Sequence, residues 1–169
     1  MGDRRPLPFD PIAEAQRQWE DHGWAAAAPG MAAVTSVMRA QQVFLSRVDA
    51  LLADEALTFA RYEVLVLLSF SRAGCLPLGK VGARLQVHPA SVTNAVDRLE
   101  AEGLVRREPH PTDGRTRLAT ITPAGRQVVE RATARLNTQV FAALGLSNDE
   151  ATQLVHLLEK VRRGAGDFA

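Results

Sequence analysis

A face of small and polar side chains lies between Pro89 and Glu102. Val92, Val96 and Leu99 recur there at helical spacing, so the opposite face of the same helix is predicted to point away from the core. That face follows Pro89 and carries Ala90, Ser91, Thr93, Asn94 and Arg98. Hydroxyl and amide groups hydrogen-bond base edges, and an arginine at the far end of such a helix suits a phosphate. The pattern indicates a helix that lies in the major groove of double-stranded DNA.

A second group of charged side chains follows a loop of turn-forming residues, 109–114. Arg115 comes directly after this loop, and Arg117 lies in the alternating segment that continues it. An arginine near the tip of a hairpin can enter the minor groove, where the negative potential of DNA is focused. Asp113 is expected to hold the Arg115 guanidinium by a charge-assisted hydrogen bond. We therefore predict that Asp113, Arg115 and Arg117 belong to the same DNA-binding surface.

The elements that must position these residues follow from the hydrophobic spacing. A short helix at residues 78–85, a tight connector and a helix at residues 89–102 form a helix-turn-helix. Residues 104–108 and 115–122 are predicted as the two strands of a hairpin. The predicted fold class is mainly α with a small β-hairpin wing, a winged helix-turn-helix of the α+β type.

Longer helices flank this region. They are predicted at residues 12–24, 31–55, 59–73 and 124–144, followed by a last helix that opens at the capping box Ser147–Glu150 and continues to Arg163. Pro29-Gly30 is predicted to break the chain before the second of them. The predicted division is residues 1–57 for the N-terminal arm and dimerisation helices, 58–122 for DNA binding and 123–169 for C-terminal dimerisation. The apolar faces of the long terminal helices are too wide for one chain to cover, which predicts a homodimer.

The composition narrows the class of protein. The chain has 169 residues, 46% hydrophobic and 23% charged, which is ordinary for one globular domain with an additional arm. No apolar run approaches the ~20 residues of a membrane helix, so we expect neither a membrane partner nor a signal peptide. The net charge is +1, from 20 basic and 19 acidic residues. Indiscriminate coating of nucleic acid needs a stronger positive charge, so DNA binding requires that the basic residues be concentrated on one face.

No motif for catalysis, phosphate binding or metal binding is found in the sequence. The histidines are scattered, and no Cys/His pair has the spacing of metal ligands. The single cysteine, Cys75, excludes an internal disulfide and is typical of a protein of the reducing cytoplasm. We predict a protein that is not an enzyme and needs no cofactor. A thiol redox switch at Cys75 and a winged helix that binds protein are the alternatives.

Two motifs resemble those of the multiple-antibiotic-resistance regulator (MarR) family of bacterial transcription factors. The resemblance covers roughly residues 31–161, and its specific parts are Ser91-Val92-Thr93-Asn94-x-Val96-Asp97-Arg98-Leu99-Glu100-x-x-Gly103-Leu104-Val105 and Asp113-x-Arg115-x-x-x-x-x-Ile121-Thr122-x-x-Gly125. It implies a homodimer in which N- and C-terminal helices interlock and two wings face a palindromic operator. It further implies a small-molecule or redox signal that alters DNA affinity.

A finer resemblance is to PecS and TamR, the urate- and aconitate-responsive branch of that family. The similar features are an extra N-terminal helix with a tryptophan and an acidic residue early in the helix before the helix-turn-helix. The resemblance implies an anion pocket formed by Trp19, Glu63, Arg72, His88 and Asn94. Urate sensors are expected to have Asp where this chain has Glu63, and Arg72 and His88 are basic. We therefore expect a repressor released by a small anionic metabolite, with trans-aconitate or citrate favoured over urate.

Overall fold

The computed structural model describes residues 7–113 and 115–168. Up to residue 50 the described residues form one compact unit, and from residue 51 onward they form a second. The first unit holds α1 (Pro11–Asp21) and most of α2 (Ala28–Leu52). Asp10 caps α1, because its Oδ1 accepts the Ile12 N–H at 2.9 Å. The predicted break at Pro29-Gly30 is wrong. Both residues lie in the first turn of α2, where the missing proline N–H has no intrahelical partner to lose.

The second unit holds the winged helix-turn-helix. Its helices are α3 (Phe59–Phe70), α4 (Leu78–Leu85) and α5 (Pro89–Ala101), and its strands are β1 (Cys75–Pro77), β2 (Val105–Pro109) and β3 (Arg117–Ile121). The strands form one antiparallel sheet in the order β1-β3-β2, in which Val105 pairs with Ile121 and Pro109 with Arg117. The predicted fold class is confirmed. Gly114, predicted in the wing loop, lies outside the described residues.

One strand, β1, is not predicted from the sequence. The helix predicted over residues 59–73 ends at Phe70, and in the tight turn that follows the Ser71 hydroxyl donates to the Cys75 carbonyl at 2.8 Å. Gly74 completes that turn with a φ of +67°, a conformation that glycine adopts without strain. The next three residues then pair with β3, with Cys75 opposite Thr120.

The C-terminal part begins with α6 (Pro123–Leu136), which Thr122 caps through its Oγ1. The single helix predicted to residue 144 is wrong in its second half, because a π-helical turn replaces the α-helix at Asn137–Phe141. The predicted capping box is confirmed and opens α7 (Asn148–Gly164). A short 3₁₀ helix, Ala53–Glu55, precedes α3. The fully buried aliphatic side chains, which form the core, are Leu52, Val64, Leu65, Leu68, Val81, Val96, Leu99, Val105, Leu136 and Val140.

Candidate nucleic-acid interface

The helix α5 presents the polar face that its sequence predicts. His88 caps it, because Nδ1 accepts the Ala90 N–H at 3.2 Å, and Pro89 occupies the first helical position. Its apolar residues Val92, Val96 and Leu99 are buried in the core. Ala90, Ser91, Thr93, Asn94 and Arg98 are all exposed. The Thr93 hydroxyl donates to the Pro89 carbonyl at 3.1 Å, which leaves its oxygen lone pairs free to accept.

A groove of about 580 Å³ runs between α3 and α5. Ser91, Asn94 and Arg98 line it from the α5 side, and Arg61 lines it from α3. The Arg61 guanidinium donates to Glu102 at 2.6 Å, so its charge is balanced within the protein. In the described part of the chain the Arg98 guanidinium has no ion pair, so its positive charge remains available to a polyanion.

The wing loop is ordered by the carboxylate of Asp113. Its Oδ1 accepts the backbone N–H of Arg115 at 3.1 Å, and its Oδ2 accepts the Thr116 hydroxyl at 2.7 Å. These hydrogen bonds, that of Thr116 foremost, lower the pKa of the Asp113 carboxyl below its ordinary value. The predicted contact with the Arg115 guanidinium is wrong, since the carboxylate holds the backbone instead. Arg115 and Arg117 are both exposed.

The charges of the helix-turn-helix and wing are not evenly balanced. Within the described residues 78–113 and 115–117, each carboxylate is engaged in the protein: Asp97 and Glu100 with Arg107, Glu102 with Arg61, Glu108 with Arg106, and Asp113 with the wing loop. Within the same residues, five cations have no carboxylate partner: Lys80, Arg84, Arg98, Arg115 and Arg117. Although the net charge of the whole chain is only +1, the elements that carry the predicted DNA-binding residues have an excess of positive charges without carboxylate partners.

The residues predicted to bind an anion lie on different elements of the chain. Glu63 is half-buried in α3, and burial raises the pKa of its carboxyl above the ordinary value. Arg72 is exposed in the turn after α3, and Asn94 lines the α3–α5 groove, which neither Glu63, Arg72 nor His88 lines. Trp19 belongs to the first unit, where its ring packs edge-on to that of Trp24 at 5.3 Å between centroids.

Cys75, the other candidate for signal sensing, is a free, half-buried cysteine in β1. No group of three or more potential metal ligands occurs among the residues that the structure describes. In the same residues no helix has both the length and the apolar character needed to cross a membrane.

A helix-turn-helix with an exposed polar second helix and a basic hairpin defines a winged-helix DNA-binding protein. The model of the MarR family matches residues 57–116, from two residues before α3 to the residue before β3. The chain is 33% identical over 98 residues to the multiple antibiotic resistance protein MarR of Salmonella typhimurium, covering 57% of this chain and 68% of that relative. The chain belongs to the MarR family of transcription regulators, which are DNA-binding proteins and not enzymes.

Solved structures agree with this assignment. Sco5413, a MarR family transcriptional regulator from Streptomyces coelicolor, superposes with a TM-score of 0.75 at 52% sequence identity, covering 83% of this chain and 97% of that chain. A MarR variant from Escherichia coli complexed with operator DNA gives a TM-score of 0.69 at 26% identity, covering 75% of this chain and 91% of that chain. These comparisons show the MarR family and do not distinguish its PecS/TamR branch from the others.

Proposed function

We propose that this regulator is a repressor that binds a palindromic operator as a homodimer and is released by a small anionic metabolite. The observation that carries the DNA-binding part is the set of five cations without carboxylate partners on α4, α5 and the wing. Their charge is available to phosphates, whereas the neighbouring Arg61, Arg106 and Arg107 are neutralised within the protein. The structure of an E. coli MarR variant complexed with operator DNA supports the proposal that this fold binds an operator.

The dimer is supported by α7. Leu154, Leu157 and Val161 share one face of this helix by their three- and four-residue spacing and are 39%, 59% and 71% exposed, and the helix has no buried residue of its own. Contiguous apolar surface of this kind marks a protein interface. Obligate homodimers bury more than ~2,000 Å². Val161→Asp should therefore give a monomeric sedimentation mass, while His156→Asp on the same helix serves as the matched surface control. A monomeric mass for the wild-type protein at micromolar concentration contradicts the dimer.

An anionic ligand is supported by the positive charge of Arg72. Arg72 makes no ion pair in the described part of the chain and is a cation available to a carboxylate ligand. Glu63 opposes an anion, but its raised pKa makes proton uptake easier when an anion approaches, which relieves the repulsion. A tricarboxylate such as trans-aconitate or citrate is therefore favoured, in line with the TamR resemblance. A ligand can weaken DNA binding only by its differential affinity for the free and DNA-bound forms, so tenfold release needs ~1.4 kcal/mol of coupling.

The test begins with duplexes that the wild-type protein selects from a random library. Binding of the tightest duplex is then measured while trans-aconitate, citrate and urate are added separately. Trp19 fluorescence is followed in a Trp24→Phe background, with Trp19→Phe and Arg72→Ala added to it. Release by a tricarboxylate that needs Arg72 supports the proposal. Failure to enrich any duplex contradicts DNA binding, whereas an unchanged response in Arg72→Ala contradicts only the ligand site. Release of DNA by added hydrogen peroxide, if Cys75→Ser abolishes it, favours the redox alternative.

A further inference from the structure

Arg107 links the wing to α5. From β2, its Nη2 donates to the Thr93 carbonyl at 3.2 Å and also contacts the Asp97 carboxylate, while its Nη1 lies 3.7 Å from Glu100 Oε2. The backbone N–H of Arg107 donates to Glu100 Oε1 at 2.9 Å. One residue of the wing therefore holds two turns of α5 through both its backbone and its side chain.

The guanidinium is partly withdrawn from water. The Arg107 side chain is 26% exposed, and its Nε is buried with no hydrogen-bond partner among the described residues. The Asp97 and Glu100 carboxylates remain open to solvent, and an ion pair with solvent-exposed partners contributes little net stability. Such a pair is better explained by the geometry that it enforces than by the stability that it adds. Here the enforced geometry is that of the wing relative to α5.

The wing leaves α5 through a short turn at Gly103, which has a φ of +72°. Hydrogen bonds from the Gly103 and Leu104 N–H groups to the Glu100 and Leu99 carbonyls fix this root of the wing. Arg107 lies farther along β2, where it holds the wing against α5 beyond the root. The polar face of α5 and the exposed Arg115 must contact one duplex at the same time for a winged helix to read DNA. We propose that Arg107 is a positioning residue for DNA recognition, which fixes the angle between α5 and the wing without touching DNA. This inference rests on the proposed DNA-binding function.

A simpler role for Arg107 is charge neutralisation. Asp97 and Glu100 have side chains 51% and 41% exposed, and without Arg107 their charges would repel a phosphate backbone. Arg107→Lys separates the two roles, because lysine keeps the positive charge but cannot bind both carboxylates and the carbonyl with one planar fork. Arg106→Lys is the matched control. Its side chain is 67% exposed and makes only a 3.5 Å contact with Glu108 on the same strand.

The experiment measures affinity for the tightest selected duplex and for a scrambled duplex of the same composition, at several salt concentrations. For Arg107→Lys we expect the ratio of specific to non-specific affinity to fall about tenfold, within the range expected when one base contact is removed. Non-specific affinity and the salt slope should stay as in the wild type, because every phosphate contact is kept. Arg106→Lys should match the wild type throughout.

An unchanged ratio in Arg107→Lys overturns the proposal. Equal losses of specific and non-specific affinity would keep the ratio and favour a direct phosphate contact of Arg107 instead. Should Arg107→Lys fail to fold, Asp97→Asn removes the link from the α5 side. Positioning predicts a lower ratio for Asp97→Asn, whereas mere neutralisation predicts tighter binding to both duplexes with the ratio kept. If the wild type enriches no duplex, the proposed function fails together with this inference. If the wild type does enrich a duplex and the variants bind it with the wild-type ratio, the inference alone fails.

Discussion

Gly125, in the first turn of α6, lies against the backbone of Leu104, and a Cβ added to it would stand 2.2 Å from the Leu104 carbonyl oxygen. Thr122 tightens the same junction. Its Oγ1 donates to the Gly103 carbonyl at 2.8 Å and accepts the Gly125 N–H at 3.0 Å. The start of the wing is therefore joined directly to the start of α6, and the Thr-x-x-Gly spacing of the sequence motif has a structural reason.

Gly125→Ala should destabilise the protein, because the overlap is with backbone atoms and no rotamer change relieves it. Overpacking of this kind lowers the free energy of unfolding by about 1–3 kcal/mol or more. Gly79→Ala in α4 is the matched control, since nothing lies within 4 Å of its added Cβ and alanine favours a helix by about 0.8–1.0 kcal/mol. Denaturant unfolding measures both variants. Equal midpoints for the two would show that the junction adjusts freely.

Arg115→Ala should weaken operator binding by about 1–3 kcal/mol, the range of a specific contact from a groove-inserted side chain. Asp113→Ala should weaken it less, because Asp113 binds the Arg115 backbone and the Thr116 hydroxyl instead of DNA. Thr116→Val should resemble Asp113→Ala, since it removes one of the two wing-loop hydrogen bonds. Fluorescence anisotropy on the selected duplex checks the order of the three variants. Wild-type affinity in Arg115→Ala would mean that the wing does not reach DNA.

Glu63→Gln should stabilise the protein at neutral pH. Burial raises the pKa of Glu63 above 4.5, so the folded state binds this proton more tightly than the unfolded state does. The free energy of unfolding therefore falls as the pH rises from about 4.5 through the raised pKa, and the penalty is fully present above it. Thermal melting should show a higher Tm for Glu63→Gln at neutral pH and a smaller difference below pH 4.5. Glu130 on α6 provides Glu130→Gln as the control, and equal shifts in both variants would contradict the assignment.

Lys80→Ala and Arg84→Ala on α4 should each weaken binding to every duplex alike and reduce its salt dependence. Removal of one phosphate contact lowers the slope of log K against log salt by about 0.9, or about 1.8 when both protomers of a dimer are affected. Lys160→Ala on α7 removes an exposed lysine far along the chain from the helix-turn-helix and should leave the slope unchanged. A slope that stays constant in all three would show that α4 makes no phosphate contact.

Several helix starts and the buried face of α5 could be predicted from the sequence, because their signals are local. Thr58, Thr122 and Ser147 each cap the helix that begins at the next residue. The spacing of Val92, Val96 and Leu99 separates the buried face of α5 from the exposed one. These features depend on hydrogen bonds and periodicity within one or two turns. The residues predicted to contact DNA remain predictions, although the structure exposes them on α5 and the wing.

What only the tertiary structure decided depends on groups far apart in the chain. Strand β1 is three residues long, too short for a periodic signal, and it forms because the edge of β3 supplies its hydrogen bonds. The Asp113 carboxylate binds the Arg115 backbone N–H and the Thr116 hydroxyl. Its position in the sequence is equally compatible with binding the Arg115 guanidinium, so only the structure distinguishes the two. Arg107 is one of two adjacent arginines in the sequence, yet folding carries it onto Asp97 and Glu100. Charge counting along a sequence cannot show which cations are neutralised, since ion pairing is set by three-dimensional proximity.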